Sequence, residues 1–232
     1  MSNPFRYFNS SPEVIRLVVM MYVKYPQSLR NVEDLLSGRG IDINHETVRF
    51  WWNRFGPMFA GEIEKRRVAH MRGFIQRRWH LDEVFVKING KLCHLWRAVD
   101  HEGEVLETVV TAKRDKAAAL KFLKRIMKKY GRPKSVVTDG LCSYPAAMRE
   151  IGNADHHEVG RRLNNRAENS HQPFRRRERA MQRFRSATTL QKFSSVHAQV
   201  HNHFNQERHL VTREVYKQRR SAALAEWRAI AA

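Results

Sequence analysis

The stretch of sequence that decides the fold, residues 79–99, reads WHLDEVFVKINGKLCHLWRAV. Between positions 84 and 88 every second residue is Val or Ile, which is the period of a strand with one buried face. Asn89-Gly90 is a strong two-residue turn signal, and a second strand is predicted over residues 92–99. This part of the chain therefore predicts an antiparallel hairpin.

Two further strands and a helix extend this hairpin. A turn at residues 100–103 leads into a third predicted strand, 105–111. Residues 114–130 carry apolar side chains on a helical period, and Gly131-Arg132-Pro133 ends that helix before a short apolar strand, 135–138. Three hairpin-linked strands, a crossover helix and a fourth strand predict an α/β fold with a mixed sheet flanked by helices. That order is the ribonuclease-H-like, or integrase-core, plan.

The N-terminal part reads as a small all-α domain. Helices are predicted over residues 13–25, 29–36 and 45–55, with Asn44 as the cap of the third and Gly56-Pro57 as its end. Two helices joined by a Gly-containing turn outline a helix-turn-helix, although an ordinary three-helix packing unit stays open. The predicted contacts to DNA lie at the start of the third helix: His45, Glu46, Thr47, Arg49 and Asn53. Its predicted buried side comprises Val48, Trp51, Trp52 and Phe55.

These patterns divide the chain into four parts. We expect a helix-turn-helix domain at 1–57 and a helical connector at 58–76. A ribonuclease-H-like catalytic domain is expected at 77–185. The remaining residues, 186–232, are expected to form helices that pack on it through Leu190, Phe193, Val196, Val200 and Phe204.

The charge of the chain points to a polyanionic partner. Lys and Arg number 43 against 23 Asp and Glu, a formal net charge of +20, which makes nucleic acid the first candidate. The longest apolar stretch, 14–23, contains Arg16 and is too short to span a bilayer, so no membrane partner is expected. The N-terminus lacks a secretory signal pattern, and two cysteines, Cys93 and Cys142, cannot build a disulfide framework. We therefore expect a soluble, cytoplasmic protein.

Three carboxylates stand where a DNA-cutting enzyme needs metal ligands. Asp82 lies in the first strand, Asp139 follows the fourth strand, and Glu168 begins a helix that Asn164 or Asn165 is predicted to cap. Cleavage of a phosphodiester with two divalent ions needs oxygen ligands that hold the ions about 3.5 to 4 Å apart, and carboxylates suit Mg²⁺. Glu83 competes with Asp82. Since neighbours on a strand point to opposite faces, only one of the two is expected in the cluster, and alternation alone does not choose.

A run of arginines surrounds the predicted glutamate helix. Phosphate binding is the favoured interpretation because the run contains two acidic residues, Glu168 and Glu178, against nine arginines. The nine are Arg161, Arg162, Arg166, Arg175, Arg176, Arg177, Arg179, Arg183 and Arg185. Arg175 follows Glu168 by seven residues and shares its helical face, while Pro173 is expected to bend the helix between them.

A histidine cluster suggests a different metal. His197, His201, His203 and His209 lie close together in sequence, with the first two one helical turn apart. Zinc needs further ligands at defined spacing, and no such motif accompanies these histidines. A packed helix with histidines along its edge is the favoured interpretation.

The sequence resembles the transposases of the IS6 (IS26-like) family of bacterial insertion sequences, a branch of the DDE transposases. The resemblance covers nearly the whole chain. It rests on WHLDE at 79–83, VKING at 86–90, RAVD at 97–100, VTD at 137–139, LNNRAENSH at 163–171 and PFRRRER at 173–179. The last two blocks are the most specific part of the match.

The resemblance implies that the family's three catalytic carboxylates fall on Asp82, Asp139 and Glu168, and that its following basic residue falls on Arg175. It also implies a ribonuclease-H-like domain that works with two Mg²⁺ ions, for which Mn²⁺ can substitute. The expected substrate is double-stranded DNA: the terminal inverted repeats of the element and a target, joined by strand transfer into a cointegrate. Paired ends imply a homodimer or larger homo-oligomer. Two alternatives stay open: a catalytically decayed, DNA-binding regulator, and a sequence-nonspecific nuclease of the same fold.

Overall fold

The computed structural model describes residues 3–71, 78–181, 184–205 and 210–230, with the backbone alone for Arg161 and Arg162. The α-helices are α1 (Pro12–Lys24), α2 (Leu29–Ser37), α3 (His45–Met71), α4 (Lys116–Tyr130), α5 (Ser143–Glu150), α6 (Asn165–Ala180), α7 (Ala187–Phe204) and α8 (Arg213–Arg228). The strands are β1 (Arg78–Ile88), β2 (Lys91–Val99), β3 (Val105–Thr111), β4 (Ser135–Thr138) and β5 (His157–Val159).

The five strands form one mixed sheet in the order β3-β2-β1-β4-β5. β1, β2 and β3 pair antiparallel, whereas β4 pairs parallel with β1 and β5 pairs parallel with β4. The β1–β2 turn has Asn89 at φ 49° and Gly90 at φ 82°, as a two-residue hairpin of this handedness requires. The predicted α/β, ribonuclease-H-like fold class is confirmed, and β5 and α5 are elements that the sequence pattern did not reveal.

Each face of the sheet buries a separate set of apolar residues. Trp79 and Leu81 of β1 point to the side of α4 and α5. Val86 and Ile88 of the same strand point to the opposite side, toward Phe174 of α6. This alternation places Asp82 on the α6 side of β1 and Glu83 on the α4–α5 side.

The N-terminal part is helical, as predicted, and a Gly-containing turn joins α2 to α3. Ser28 and Asn31 form a capping box at the start of α2, and Asn44 Oδ1 accepts from the Thr47 amide at 2.8 Å at the start of α3. Val48, Trp51, Trp52 and Phe55 are buried, as predicted.

The predicted end of α3 at Gly56-Pro57 is wrong, because the helix continues through Pro57 to Met71. Proline has no amide N–H, so the carbonyl four residues earlier, that of Asn53, loses its helical donor. Lys192 of α7 supplies a replacement, with its Nζ 2.8 Å from the Asn53 carbonyl oxygen. The predicted boundary between residues 57 and 58 therefore falls inside a helix.

The C-terminal helix α7 joins the two halves of the fold. Its predicted apolar residues Leu190, Phe193, Val196 and Val200 are buried, and Phe204 is partly buried. They share one apolar core with residues from α1, α3, the α6 side of β1 and β2, and α8. Within the described ranges, no helix combines the length and the apolar character needed to cross a membrane.

Candidate active site

Asp82 and Asp139 meet where β1 and β4 separate. The last paired residues of these parallel strands are His80 and Val137, and β4 ends at Thr138. Asp82 follows His80 by two residues, and Asp139 follows Val137 by two residues. Ligand atoms of Asp82, Glu83 and Asp139 all lie within 4.8 Å of one another.

The expectation that only one of Asp82 and Glu83 belongs to the cluster is wrong. The β1–β4 ladder ends at His80, so β4 is no longer paired with β1 at Asp82 and Glu83. Carboxylates from both faces therefore reach the same gap.

The two neighbouring carboxylates have different partners. Glu83 Oε1 accepts from Arg114 Nε at 2.6 Å, and Glu83 Oε2 accepts from the Tyr144 hydroxyl at 2.8 Å. Both oxygens of Glu83 are thus used within the protein. Asp82 faces the His171 ring, whose Nε2 lies 3.3 Å from Asp82 Oδ2, too poorly aligned for a hydrogen bond. Asp82 and Asp139 therefore retain more free ligand capacity than Glu83.

Burial and mutual repulsion weaken the acidity of Asp82. Burial is the larger cause and the Asp139 carboxylate the second, and together they raise the pKa of Asp82 to about 6. A divalent cation between the two carboxylates would offset both the burial of the Asp82 charge and its repulsion by Asp139. The donors are all carboxylate oxygens, which is the set that Mg²⁺ and similar hard ions prefer.

Glu168 lies outside this cluster in the structure. It is exposed, in the first turn of α6. Residues three apart on a helix share a face, so Glu168 lies one turn from His171, the residue that faces Asp82. The structure thus places Glu168 near the cluster but does not bring its carboxylate into it.

The start of α6 is tied directly to β1. Asn164 stands at the predicted N-cap position of α6, but its side chain makes no capping hydrogen bond. Instead its Nδ2 donates to the Leu81 carbonyl at 2.8 Å, and the residue is fully buried. The first turn of α6 is consequently anchored to the strand that carries Asp82.

His171 is a site residue that sequence reasoning missed. It is buried, and burial first, then the charges of Arg97 and Arg175, hold its pKa well below the ordinary value. The imidazole beside Asp82 is therefore neutral at physiological pH. Its spacing of three residues from Glu168 was a signal that could have revealed it.

The arginine run divides between surface and interior. Arg166, Arg176 and Arg179 are exposed, and Arg175 is half-buried with hydrogen bonds at 2.5 Å to Glu178 and to the Phe85 carbonyl. The prediction that Arg177 contacts DNA is contradicted: its guanidinium is buried against the rings of Tyr22 and Phe193. The side chains of Arg161 and Arg162, and the whole of Arg183, lie outside the described residues.

The predicted DNA contacts of the helix-turn-helix lie on the first turns of α3. Arg49 and Asn53 are exposed, and His45 and Thr47 are half-exposed. Arg49 pairs with Glu46 at 2.7 Å, and His45 Nδ1 lies 2.9 Å from Glu33.

The histidines of α7 pack against the protein: His197 is buried, and His201 and His203 are partly buried. The His197 ring stacks on that of His201 with centroids 5.8 Å apart. His203 Nε2 lies 2.8 Å from the Ala223 carbonyl, and His209 lies outside the described residues. Within the described part of the chain, the acidic cluster is the one group of side chains with metal-ligand geometry.

A mixed sheet of this order, with an acidic cluster beside its central strands, fits the class of metal-dependent polynucleotidyl transferases. The family profile described as "DDE domain" matches residues 76–207. The transposase for insertion sequence element IS257 in transposon Tn4003 of Staphylococcus aureus is 33% identical over 202 residues, covering 84% of this chain and 88% of the relative. The transposase for insertion sequence-like element IS431mec of S. aureus strain Mu50 is 32% identical over the same length and coverage.

The chain belongs to the IS6 family of DDE transposases. Enzymes of this family act with divalent metal ions, which fits the carboxylate donors described above. Among solved structures, a chain of the simian T-cell lymphotropic virus intasome in complex with PP2A regulatory subunit B56 gamma aligns with a TM-score of 0.43 and 17% identity, over 59% of this chain and 51% of that chain.

Proposed function

We propose that this transposase binds the terminal inverted repeats of its insertion sequence, nicks the element ends and joins them to target DNA as a cointegrate. Water attacks the phosphodiester at the element end, and the freed 3′ hydroxyl then attacks the target strand. The observation that supports this proposal is the meeting of Asp82 and Asp139 within 4.8 Å beside β1 and β4. The two relatives above are named as transposases of insertion sequences.

Asp82, Asp139 and Glu168 are the proposed metal ligands. Two Mg²⁺ ions, or Mn²⁺ in their place, would supply Lewis-acid activation of the attacking and leaving oxygens. Glu168 would join the other two carboxylates by turning its exposed side chain from the first turn of α6 toward Asp82. Glu83 would remain bound to Arg114 and Tyr144 and hold the strand in place.

The proposed path of the DNA duplex uses a basic cleft between the helix-turn-helix and the end of α6. The cleft has a volume of about 1200 Å³, and none of the described residues that line it is acidic. Arg30, His45, Arg49 and Arg185 supply its basic groups, and Asn53 and Asn89 supply amides. Of these basic groups, His45 and Arg49 also pair with Glu33 and Glu46. Such a surface suits a phosphate backbone. The exposed Arg166, Arg176 and Arg179 are proposed to extend the contact, and paired ends favour a homodimer or larger assembly.

Substitution of the proposed ligands tests the chemistry. Asp82→Asn, Asp139→Asn and Glu168→Gln should each lower Mg²⁺-dependent nicking about a hundredfold or more, because each removes a charged ligand while keeping the side-chain volume. The measurement is nicking of a duplex that carries the element's own terminus, alongside binding of the same duplex by fluorescence anisotropy. Binding should stay within about twofold, since none of the three is a proposed phosphate contact.

Glu150→Gln is the matched control, since Glu150 pairs with Lys116 at 2.7 Å on the surface of α5. It should nick at the wild-type rate. Full nicking by any ligand variant would remove that residue from the site. Binding of the terminus by the wild type without nicking would identify a decayed regulator, and equal nicking of a scrambled terminus would identify a nonspecific nuclease.

A further inference from the structure

Arg97 is a buried cation close to the acidic cluster. It lies on β2 directly opposite Asp82 of β1, so both side chains leave the sheet on the α6 side. The residue is 0% exposed, and burial lowers its pKa to about 10. Its guanidinium is therefore charged at neutral pH although water does not reach it.

The contacts of Arg97 leave that charge largely uncompensated. Nη1 donates to the Ser170 carbonyl of α6 at 2.5 Å, while Nε and Nη2 have no hydrogen-bond partner among the described residues. The guanidinium carbon lies 5.5 Å from the centre of the Phe174 ring. A buried charge with one neutral acceptor costs free energy that an apolar side chain of similar size would not. Stability alone therefore does not explain an arginine here.

The carbonyl that accepts from Arg97 lies in the turn of α6 that contains Glu168 and His171. Ser170 stands between Glu168 and His171, the residue that faces Asp82 at 3.3 Å. Pro173 lacks an amide N–H, so the carbonyl of Asn169 has no helical donor and the helix is weakened at this turn. Arg97 binds the next carbonyl along and holds the weakened turn against β2.

We infer that Arg97 is a positioning residue that holds the Glu168–His171 turn of α6 against Asp82 through the Ser170 carbonyl. Arg97 touches neither DNA nor the reacting atoms in this arrangement. Its contribution passes through Glu168, so the inference rests on the proposed function of Glu168 as the third metal ligand.

Binding of Mn²⁺ alone tests this inference without DNA or turnover. The dissociation constant of Mn²⁺ is measured by electron paramagnetic resonance for the wild type, Arg97→Met, Arg97→Lys, Glu168→Gln and the two double variants. Arg97→Met should weaken Mn²⁺ binding about tenfold, the usual effect of losing a group that orients a ligand. Arg97→Lys keeps a charged donor near Ser170 and should lose less.

The double variants separate positioning from general structure. In the Glu168→Gln background, neither Arg97→Met nor Arg97→Lys should weaken Mn²⁺ binding further, because the ligand that Arg97 positions is already removed. The free energy of unfolding of Arg97→Met should not fall, since Met removes an uncompensated buried charge.

Arg16→Met is the matched control. Arg16 is also buried, donates to a carbonyl, that of Ile230, at 2.8 Å and lies 4.9 Å from the Phe5 ring, but it belongs to α1. Its substitution should leave Mn²⁺ binding unchanged. Equal losses from Arg97→Met with and without Glu168, or unchanged binding in a folded Arg97→Met protein, would overturn the inference. If Arg97→Met does not fold, the same comparison with Arg97→Lys decides. If Glu168→Gln itself leaves Mn²⁺ binding unchanged, the proposed role of Glu168 fails instead.

Discussion

Asp82 and Glu83 show how two adjacent carboxylates acquire different roles from their surroundings. Both are buried, and burial is the first cause that raises the pKa of each. Glu83 recovers part of that cost from Arg114 and Tyr144, whose hydrogen bonds favour its charged form. Asp82 faces the carboxylate of Asp139, which adds to the cost. A cation therefore stabilises the charged form of Asp82 more than that of Glu83.

Substitution of Glu83 should consequently affect folding more than metal binding. Glu83→Gln keeps the side-chain volume but removes the charge that pairs with Arg114, and should lower the free energy of unfolding by about 1 to 3 kcal/mol. Its Mn²⁺ dissociation constant should rise by less than about threefold, against about tenfold or more for Asp82→Asn. Urea unfolding and Mn²⁺ titration measure the two effects. A larger loss of Mn²⁺ binding in Glu83→Gln than in Asp82→Asn would make Glu83 the metal ligand and Asp82 the structural carboxylate.

The arginines of α6 could have been separated by their helical positions. The buried residues of this helix are Ala167, Ser170, His171, Phe174 and Arg177, which recur every three or four residues on one face. Arg176 and Arg179 lie on the exposed face of the same run. The composition of the run does not distinguish buried from exposed arginines, whereas the period of the helix places Arg177 on the buried face with Ala167 and Phe174.

At the scale of elements, the sequence predicts those helices and strands whose bounds are set by residues close together in the chain. The β1–β2 hairpin, β3 and β4 lie within about a residue of their predicted bounds, since alternation and turn residues are local signals. The passage of α3 through Pro57 was not predictable in this way, because the side chain that replaces the lost donor, Lys192, lies far along the chain. The entry of Glu83 into the acidic cluster likewise depends on where the β1–β4 pairing ends.

The Lys192 contact should stabilise α3 through Pro57. Lys192 Nζ also lies 2.9 Å from Asn53 Oδ1, so Lys192→Met removes two hydrogen bonds and should lower the free energy of unfolding by about 1 to 2 kcal/mol. In a Pro57→Ala background the new amide N–H supplies the helical donor for the Asn53 carbonyl, and the cost of Lys192→Met should shrink.

Urea unfolding of the four proteins in this double-mutant cycle measures the coupling. Lys24→Met is a suitable control: Lys192 lies over the Trp52 ring, and Lys24 likewise lies over the Phe204 ring, but on α1. Equal costs of Lys192→Met with and without Pro57 would show that the proline and the lysine act independently.

At the scale of the whole molecule, one core joins the N-terminal helices to the sheet. Residues of α1, α2, α3, β1, β2, α6, α7 and α8 contribute to it, so the N-terminal helices and the strand that carries Asp82 are not separated by solvent. The paired rings of His197 and His201 lie beside this core. A change in their charge should therefore affect the stability of the molecule as a unit.

The two histidines should make the protein less stable in mild acid. Burial first, then the charges of Arg97 and Lys24, lower the pKa of His201 to about 4. Burial first, then Arg97, His201 and Arg177, holds the pKa of His197 well below its ordinary value. The unfolded chain, with ordinary histidines, binds protons more readily than the folded protein. Their stabilising contribution is thus complete above about pH 6.5 and is lost as the pH falls toward 4.

His201 alone should contribute about 2 kcal/mol to the loss of unfolding free energy between about pH 7 and pH 5. His201→Phe keeps a ring against His197 but cannot take up a proton, so its unfolding free energy should fall by that much less over the same range. The measurement is urea unfolding followed by tryptophan fluorescence at several pH values. His101→Phe replaces an exposed histidine of the β2–β3 turn and should retain the wild-type pH dependence. If His201→Phe loses as much stability in acid as the wild type, the proton uptake belongs to other groups.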